Sequence, residues 1–198
     1  MKITQENDQV LVRQYLDGNN QSFEILINKY EKKLYSYILL NVKEACVAED
    51  IFQDTFIKII NTLKSGKYNE EGKFLQWMFR IAHNLIIDHF RAKKRHKIIN
   101  NVYGEDDELD LFNIIPNNDI NSEEDMIKTE TNKKIKQLIQ ELPEEQKEVL
   151  ILRHYVDMSF KEIANFTNVS INTSLGRMRY ALINLKKLIK EKEPALLT

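Results

Sequence analysis

Cysteine, proline and glycine are all scarce. Cys46 is the single cysteine, so no internal disulfide framework can form and a reducing compartment is expected. Five glycines and three prolines are too few for a collagen-like chain, a Gly-rich linker or a turn-rich β barrel. No apolar run reaches membrane-spanning length, and the chain turns polar directly after Met1, without the apolar core of a secretion signal. A cytoplasmic location, with no insertion into a membrane, is therefore expected.

Catalytic chemistry is missing as well. The four histidines, His83, His89, His96 and His154, lack the i, i+4 spacing of a helical zinc pair. One cysteine cannot complete a thiolate site, and Gly18, Gly66, Gly72, Gly104 and Gly176 form no phosphate-cradling loop. Neither an enzymatic activity nor a cofactor is implied.

What is present is charge, unevenly spread. The 198 residues carry a formal net charge of −1. Residues 1–97 are net +4, 98–132 net −9 and 133–198 net +4. The acidic middle runs through Glu105-Asp106-Asp107-Glu108, and its apolar residues Leu109, Leu111, Phe112, Ile114 and Ile115 have no helical period. It reads as a linker of roughly thirty residues, extended or disordered when alone.

Both flanks have helical periodicity, and no segment alternates as a strand does. The fold class is all-α. Phe23, Leu26, Ile27, Tyr30, Leu34, Tyr37 and Ile38 form one stripe, with Ser22 a candidate cap. Ile51, Phe52, Thr55, Phe56, Ile59, Ile60 and Leu63 form a second, ended by Gly66 and followed by a polar loop, 64–73. Phe74, Trp77, Met78, Ile81, Ala82, Leu85, Ile86 and Phe90 form a third. A short helix around Val10–Leu16 precedes them, and together they predict a small bundle. The third helix ends in Arg91-Ala92-Lys93-Lys94-Arg95-His96-Lys97, five cations without an acid. Such a run suits phosphate; fewer cations would merely suit the helix dipole.

The second block opens with Ile135, Leu138, Ile139 and Leu142, and Pro143 sits where a new helix can start. Ser159 and Glu162 have capping-box spacing ahead of Ile163, Ala164 and Phe166. Thr167-Asn168-Val169 breaks that helix, and Ser170 can cap a longer one from Ile171 to about Lys190. A short helix, a tight turn and a second helix make a helix-turn-helix, or an ordinary helical hairpin. In the first case Asn172, Thr173, Leu175, Gly176, Arg177 and Arg179 face the major groove, where Asn and Arg pair with base edges. Lys186, Lys187, Lys190 and Lys192 would then meet phosphate.

Three strings, in order, carry a resemblance. They are Ala48-Glu49-Asp50-Ile51-Phe52-Gln53-Asp54-Thr55-Phe56-Ile57-Lys58-Ile59, then Phe74-Leu75-Gln76-Trp77-Met78-Phe79-Arg80-Ile81-Ala82-His83-Asn84 on to Asp88 and Arg91, then Leu142-Pro143-Glu144-Glu145-Gln146 with Ser159–Ala164, Ser170–Thr173 and Arg177. The chain resembles the extracytoplasmic-function (ECF) sigma factors, small members of the sigma-70-like bacterial initiation subunits. The resemblance implies two helical domains, 1–97 and 133–198, joined by the acidic linker 98–132. Asp50, Gln53, Asp54 and Ile57 would face core RNA polymerase at its clamp, with the flap taking the second domain. Asn84 and Asp88 would read the −10 element, Arg91, Lys93, Lys94 and Arg95 would hold phosphates, and Trp77 is either an unstacking wedge or core. The loop 64–73 would capture a flipped base. Ser170 and the exposed residues of the second helix would read the −35 element. The acidic linker would thread basic channels as a polyanion mimic. Promoter DNA and core polymerase are the partners so implied, with an anti-sigma factor a further possible one.

The sequence departs from the family at Ser174, where an apolar core residue is usual, and at Leu175 and Tyr180, where polar or basic residues are common. The −35 preference is therefore not transferable. The competing reading is a stand-alone helix-turn-helix regulator with residues 1–97 as a sensor or dimerisation bundle.

Overall fold

The computed structural model describes residues 7–69, 71–100 and 123–197, and the chain divides into two compact units, Met1–Phe112 and Asn113–Thr198. Every regular element is helical, and no strand forms among the described residues. No described helix is long and apolar enough to cross a membrane.

The first unit holds α1 (Asp8–Leu16), α2 (Asn20–Val42), α3 (Ala45–Lys64) and α4 (Phe74–Asn100). The predicted stripes are its core. Phe23, Leu26, Tyr30, Leu34, Tyr37 and Ile38 of α2 are buried, as are Ile51, Thr55, Ile59 and Leu63 of α3 and Phe74, Met78, Ala82 and Ile86 of α4. Each large apolar side chain so buried stabilises by roughly 1.5–3 kcal/mol before entropy is counted. Thr55 escapes a buried-hydroxyl penalty by donating to the Ile51 carbonyl at 2.7 Å.

Three local expectations change. Ser22 does not cap α2. Asn19 does, its Oδ1 accepting the Gln21 N–H at 3.1 Å. Asn is at least as good an N-cap as Ser, and Gly18 at φ +100° supplies the preceding turn. Ser22 lies buried inside the helix and donates to Gln14 Oε1 at 2.6 Å. Phe90, the last member of the third stripe, is 44 % exposed. The stripe continues to a point where the bundle no longer covers it. Thirdly, α5 begins at Glu123, where the acidic linker was expected to continue to residue 132. Glu123, Glu124 and Asp125 suit a helix N-terminus through its dipole, which a reading by net charge overlooks. The first three residues of that acidic segment, 98–100, belong to α4, and the remainder, with Glu105–Glu108 and Leu109–Ile115, lies outside the described residues.

The second unit holds α5 (Glu123–Gln140), α6 (Glu144–His154), α7 (Phe160–Thr167) and α8 (Ile171–Lys192), then a 3-10 turn, Pro194–Leu197. Leu138, Ile139, Leu142, Val149, Leu150, Ile151, Leu152, Ile163, Ala164 and Phe166 are buried. Pro143 is the N-cap of α6, one position earlier than a first-turn proline. The capping box of α7 is complete: Ser159 Oγ accepts from the Glu162 N–H at 3.3 Å, and Glu162 Oε2 accepts from the Ser159 N–H at 2.6 Å. Asn168 ends α7 in the left-handed region at φ 55°, a conformation asparagine tolerates well. Arg153 braces the approach to α7, donating to the Met158 carbonyl at 2.9 Å with its guanidinium 5.4 Å from the Phe160 ring centre.

Candidate polymerase and nucleic-acid interfaces

Each unit leaves distinct polar faces outside its core. On α3 the buried side is Ala48, Ile51, Thr55 and Ile59. The opposite side carries Asp50, Gln53, Asp54 and Ile57, all exposed, at i, i+3, i+4 and i+7. Ile57 is 54 % exposed, an apolar side chain that the core leaves uncovered. Gln53 donates weakly to Glu49 at 3.4 Å.

Asn84 and Asp88 are exposed one turn apart on α4, followed on the same helix by exposed Arg91, Lys94 and Arg95. Arg91 lies 3.6 Å from Asp88. Lys93 reaches across to Glu44 at 2.7 Å, a partner that no motif spacing could have indicated, 49 positions away. The side chain of Lys97, fifth in the cation run, lies outside the described residues. Beneath Asn84, His83 Nδ1 and the Tyr37 hydroxyl are 3.0 Å apart, and the Tyr37 ring meets Phe79 edge-on at 5.2 Å. Burial, then the Arg80 charge, holds the His83 pKa below its ordinary value, so the ring is neutral near pH 7.

Trp77 is half-buried. Its ring lies 4.3 Å from that of Tyr68 and 5.7 Å from that of Phe74. Tyr68 comes from the loop after α3, whose composition reads as polar and for which the resemblance implies capture of a flipped base. Phe74 is itself buried, so Tyr68 and Trp77 are two half-buried rings resting on it at a loop-helix junction.

On α8 the N-terminal residues divide. Asn172, Leu175 and Arg179 are exposed, and among the described residues none forms an ion pair with Arg179. Ser170 is the N-cap, accepting from the Thr173 N–H at 3.0 Å, and its hydroxyl lies 2.8 Å from that of Thr173. Arg177 turns back to Glu145 of α6 at 3.0 Å, with a fifth of its side chain exposed. A Cβ on Gly176 would meet nothing within 4 Å, so no internal packing demands glycine there. Further along, Lys192 pairs with Glu141 at 2.5 Å and Lys187 lies 3.9 Å from Glu191, while Lys186 and Lys190 are exposed.

Comparison with known proteins decides what these faces belong to. Residues 26–96 match the model of sigma-70 region 2, and residues 132–177 match that of sigma-70 region 4. The RNA polymerase sigma-H factor of Pseudomonas aeruginosa is 31 % identical over 176 residues, covering 89 % of this chain and 90 % of its own. This chain is an ECF sigma factor of the sigma-70 family. The ECF sigma factor SigW of Bacillus subtilis is 26 % identical over 180 residues, 91 % of this chain and 95 % of its own. Among solved structures, CnrH in complex with the cytosolic domain of CnrY has the same fold, with a TM-score of 0.67 at 20 % identity over 95 % of this chain and 100 % of that one. The sigma factor RpoE of Bartonella quintana, bound to the anti-sigma factor NepR, also reaches 0.67 at 18 % identity, over 87 % of this sigma factor and 99 % of that chain. The protein is thus a non-enzymatic, DNA-binding subunit that directs transcription initiation by RNA polymerase. The stand-alone regulator falls away, because residues 26–96 are region 2 of an initiation subunit and not a sensor bundle.

Proposed function

We propose that the exposed faces divide the work of initiation among three helices. Asp50, Gln53, Asp54 and Ile57 of α3 dock on the clamp of core polymerase, with Ile57 the apolar anchor inside an acidic ring. Asn84 and Asp88 of α4 read −10 base edges while Arg91, Lys93, Lys94 and Arg95 hold the backbone. Tyr68 and Trp77, backed by the buried Phe74 ring, receive a base extruded from the duplex, replacing the few kcal/mol of stacking that extrusion costs. Asn172, Leu175, Gly176 and Arg179 of α8 address the −35 element in the major groove, with Ser170 and Thr173 fixing the first turn of the helix, Arg177 anchoring it to Glu145, and the second domain carried on the flap. In this reading domain 2 spans 1–97, domain 4 spans 133–198, and the acidic stretch between them occupies basic channels of the polymerase. The protein works in the cytoplasm and is open to capture by an anti-sigma factor, as the solved relatives are.

The observation that carries this reading is the α3 face, where four exposed residues at i, i+3, i+4 and i+7 include an isoleucine that the fold does not use. Reconstitution tests it. The chain should co-elute with sigma-free core polymerase and yield discrete run-off transcripts from a genomic fragment library. Asp50→Arg combined with Ile57→Glu should abolish co-elution while leaving the helical circular-dichroism spectrum intact. Retained co-elution would move the docking face elsewhere.

A further inference from the structure

The region 2 match begins at residue 26, so α1 lies before it. Yet α1 is firmly built into the first unit. Leu11, Val12 and Tyr15 are buried, and Tyr15 stacks on Phe23 at 4.6 Å. Two further contacts are polar, and both point the same way. Asp8 takes the Tyr30 hydroxyl on Oδ2 at 2.5 Å and Lys29 on Oδ1 at 2.6 Å. Burial and the Asp8 carboxylate raise the Tyr30 pKa far above the usual phenol value, so the hydroxyl is always the donor. The Tyr30 ring lies 6.3 Å from Phe74, the first residue of α4. Phe74 in turn meets Tyr68 edge-on at 6.1 Å and Trp77 at 5.7 Å. The second contact is at Gly72, just before α4, held at φ +73°. The Gln9 amide lies so close that a Cβ there would come within 2.7 Å of Nε2. Asp8 and Gln9 are neighbours in the first turn of α1, fixed by Asn7, whose Oδ1 accepts the Gln9 N–H at 3.2 Å.

We propose that α1 positions the aromatic surface: Asp8 through Tyr30, and Gln9 against Gly72, hold the buried Phe74 ring and, through it, Tyr68 and Trp77 in the arrangement that receives an unstacked base. Asp8, Gln9 and Tyr30 are positioning residues, since none of them is part of the ring surface itself. The inference rests on the assignment of those rings to base capture. Its physical basis is preorganisation: rings already held in place lose less side-chain entropy when a base stacks on them. A helix that served only to cover the core would need Leu11, Val12 and Tyr15 but neither polar contact.

Trp77 is the single tryptophan of the chain, so its emission reports on the surface directly. In the full-length protein, Gln9→Ala and Tyr30→Phe should each raise acrylamide quenching of Trp77 and shift its emission, with the far-ultraviolet dichroism and co-elution with core unchanged. Tyr30→Phe keeps the buried ring, so folding is preserved while the hydroxyl link is cut. In holoenzyme on fork-junction promoter DNA carrying 2-aminopurine at the extruded position, both variants should lower the fluorescence rise about fivefold, within the range expected for one weakened stack. Unchanged quenching in both variants would overturn the proposal, and so would raised quenching with an undiminished 2-aminopurine signal. Tyr68→Ala separates the two levels of the argument. If it leaves the 2-aminopurine signal intact, base capture by these rings fails and takes the inference with it. If it abolishes the signal while Gln9→Ala and Tyr30→Phe do not, only the role of α1 is wrong.

Discussion

The two helices assigned to DNA, α4 and α8, present their polar residues in opposite ways. On α4, Asn84, Lys94 and Arg95 stand exposed, and Arg91 has only a loose contact with Asp88 on its own helix. On α8, Ser170 and Thr173 are spent on the cap and Arg177 on Glu145, leaving Asn172, Leu175 and Arg179 to face outward. A helix that reads an intact duplex gains from a rigid first turn, because the groove admits it in one orientation. A helix beside a strand that is being separated can keep mobile cations, since phosphate attraction is long-ranged and tolerant of geometry. The same residue types therefore do different work according to whether the fold has already claimed them.

The largest effect expected from this contrast is on α4. Replacing Arg91, Lys94 and Arg95 together by alanine should weaken promoter binding by holoenzyme on the order of tenfold to a hundredfold at ~0.1 M salt, and flatten the log–log salt dependence by about 2. Equal loss at all salt concentrations would mean that these cations do not meet phosphate. Next comes a pair on α8. Asn172→Ala should cost about 1–3 kcal/mol of discrimination between −35 sequences, measured as relative affinities for single-base variants. Arg177→Ala should instead leave that ranking unchanged and lower the urea midpoint slightly, because its half-exposed ion pair is worth at most about 1 kcal/mol. An altered ranking with Arg177→Ala would show that DNA draws the guanidinium away from Glu145.

Two smaller effects concern buried polar groups. Ser174 is fully buried in α8 and its Oγ has no hydrogen-bond partner among the described residues. Ser174→Ala should raise the urea midpoint, by about 1 kcal/mol in stability, without changing core binding. His83 on α4 has the contrary situation, with Tyr37 beside it. Its folded pKa lies below the ordinary 6.5, so unfolding takes up a proton in the window below that value. Stability should fall as pH drops below about 6.5, and less so in His83→Gln; identical pH profiles for the two proteins would remove His83 as the cause.

The bundle and the helix-turn-helix were legible because their signals are local. Apolar spacing gave Leu26, Leu34, Ile38 and Ile59 to the core, and the Ser159–Glu162 box depends only on residues three apart. The exposed α3 face was legible for the same reason, as the complement of a clear stripe. What escaped depends on contacts between distant segments. Glu44 against Lys93, Glu145 against Arg177 and Tyr68 against Trp77 leave no trace in periodicity. Phe90 followed the stripe faithfully, but a period says which side faces inward and not how far the neighbouring helices extend. Ser22 lost the capping role to Asn19 because two good capping residues lay within one turn, and the Gly18 turn favoured the earlier one.

The Lys93–Glu44 ion pair bears on how the cation run should be counted. Glu44 is the N-cap of α3 and makes no capping bond with its side chain, which goes to Lys93 instead. A phosphate arriving at Lys93 therefore displaces a carboxylate that is already there. Its arrival is an exchange of one anion for another, not a gain, and the ammonium that looks most firmly held is the one that should add least to affinity. In the proposed reading the freed carboxylate would sit at the start of the helix that carries the polymerase face, so that occupancy of the −10 helix would be linked to the charge at the head of α3.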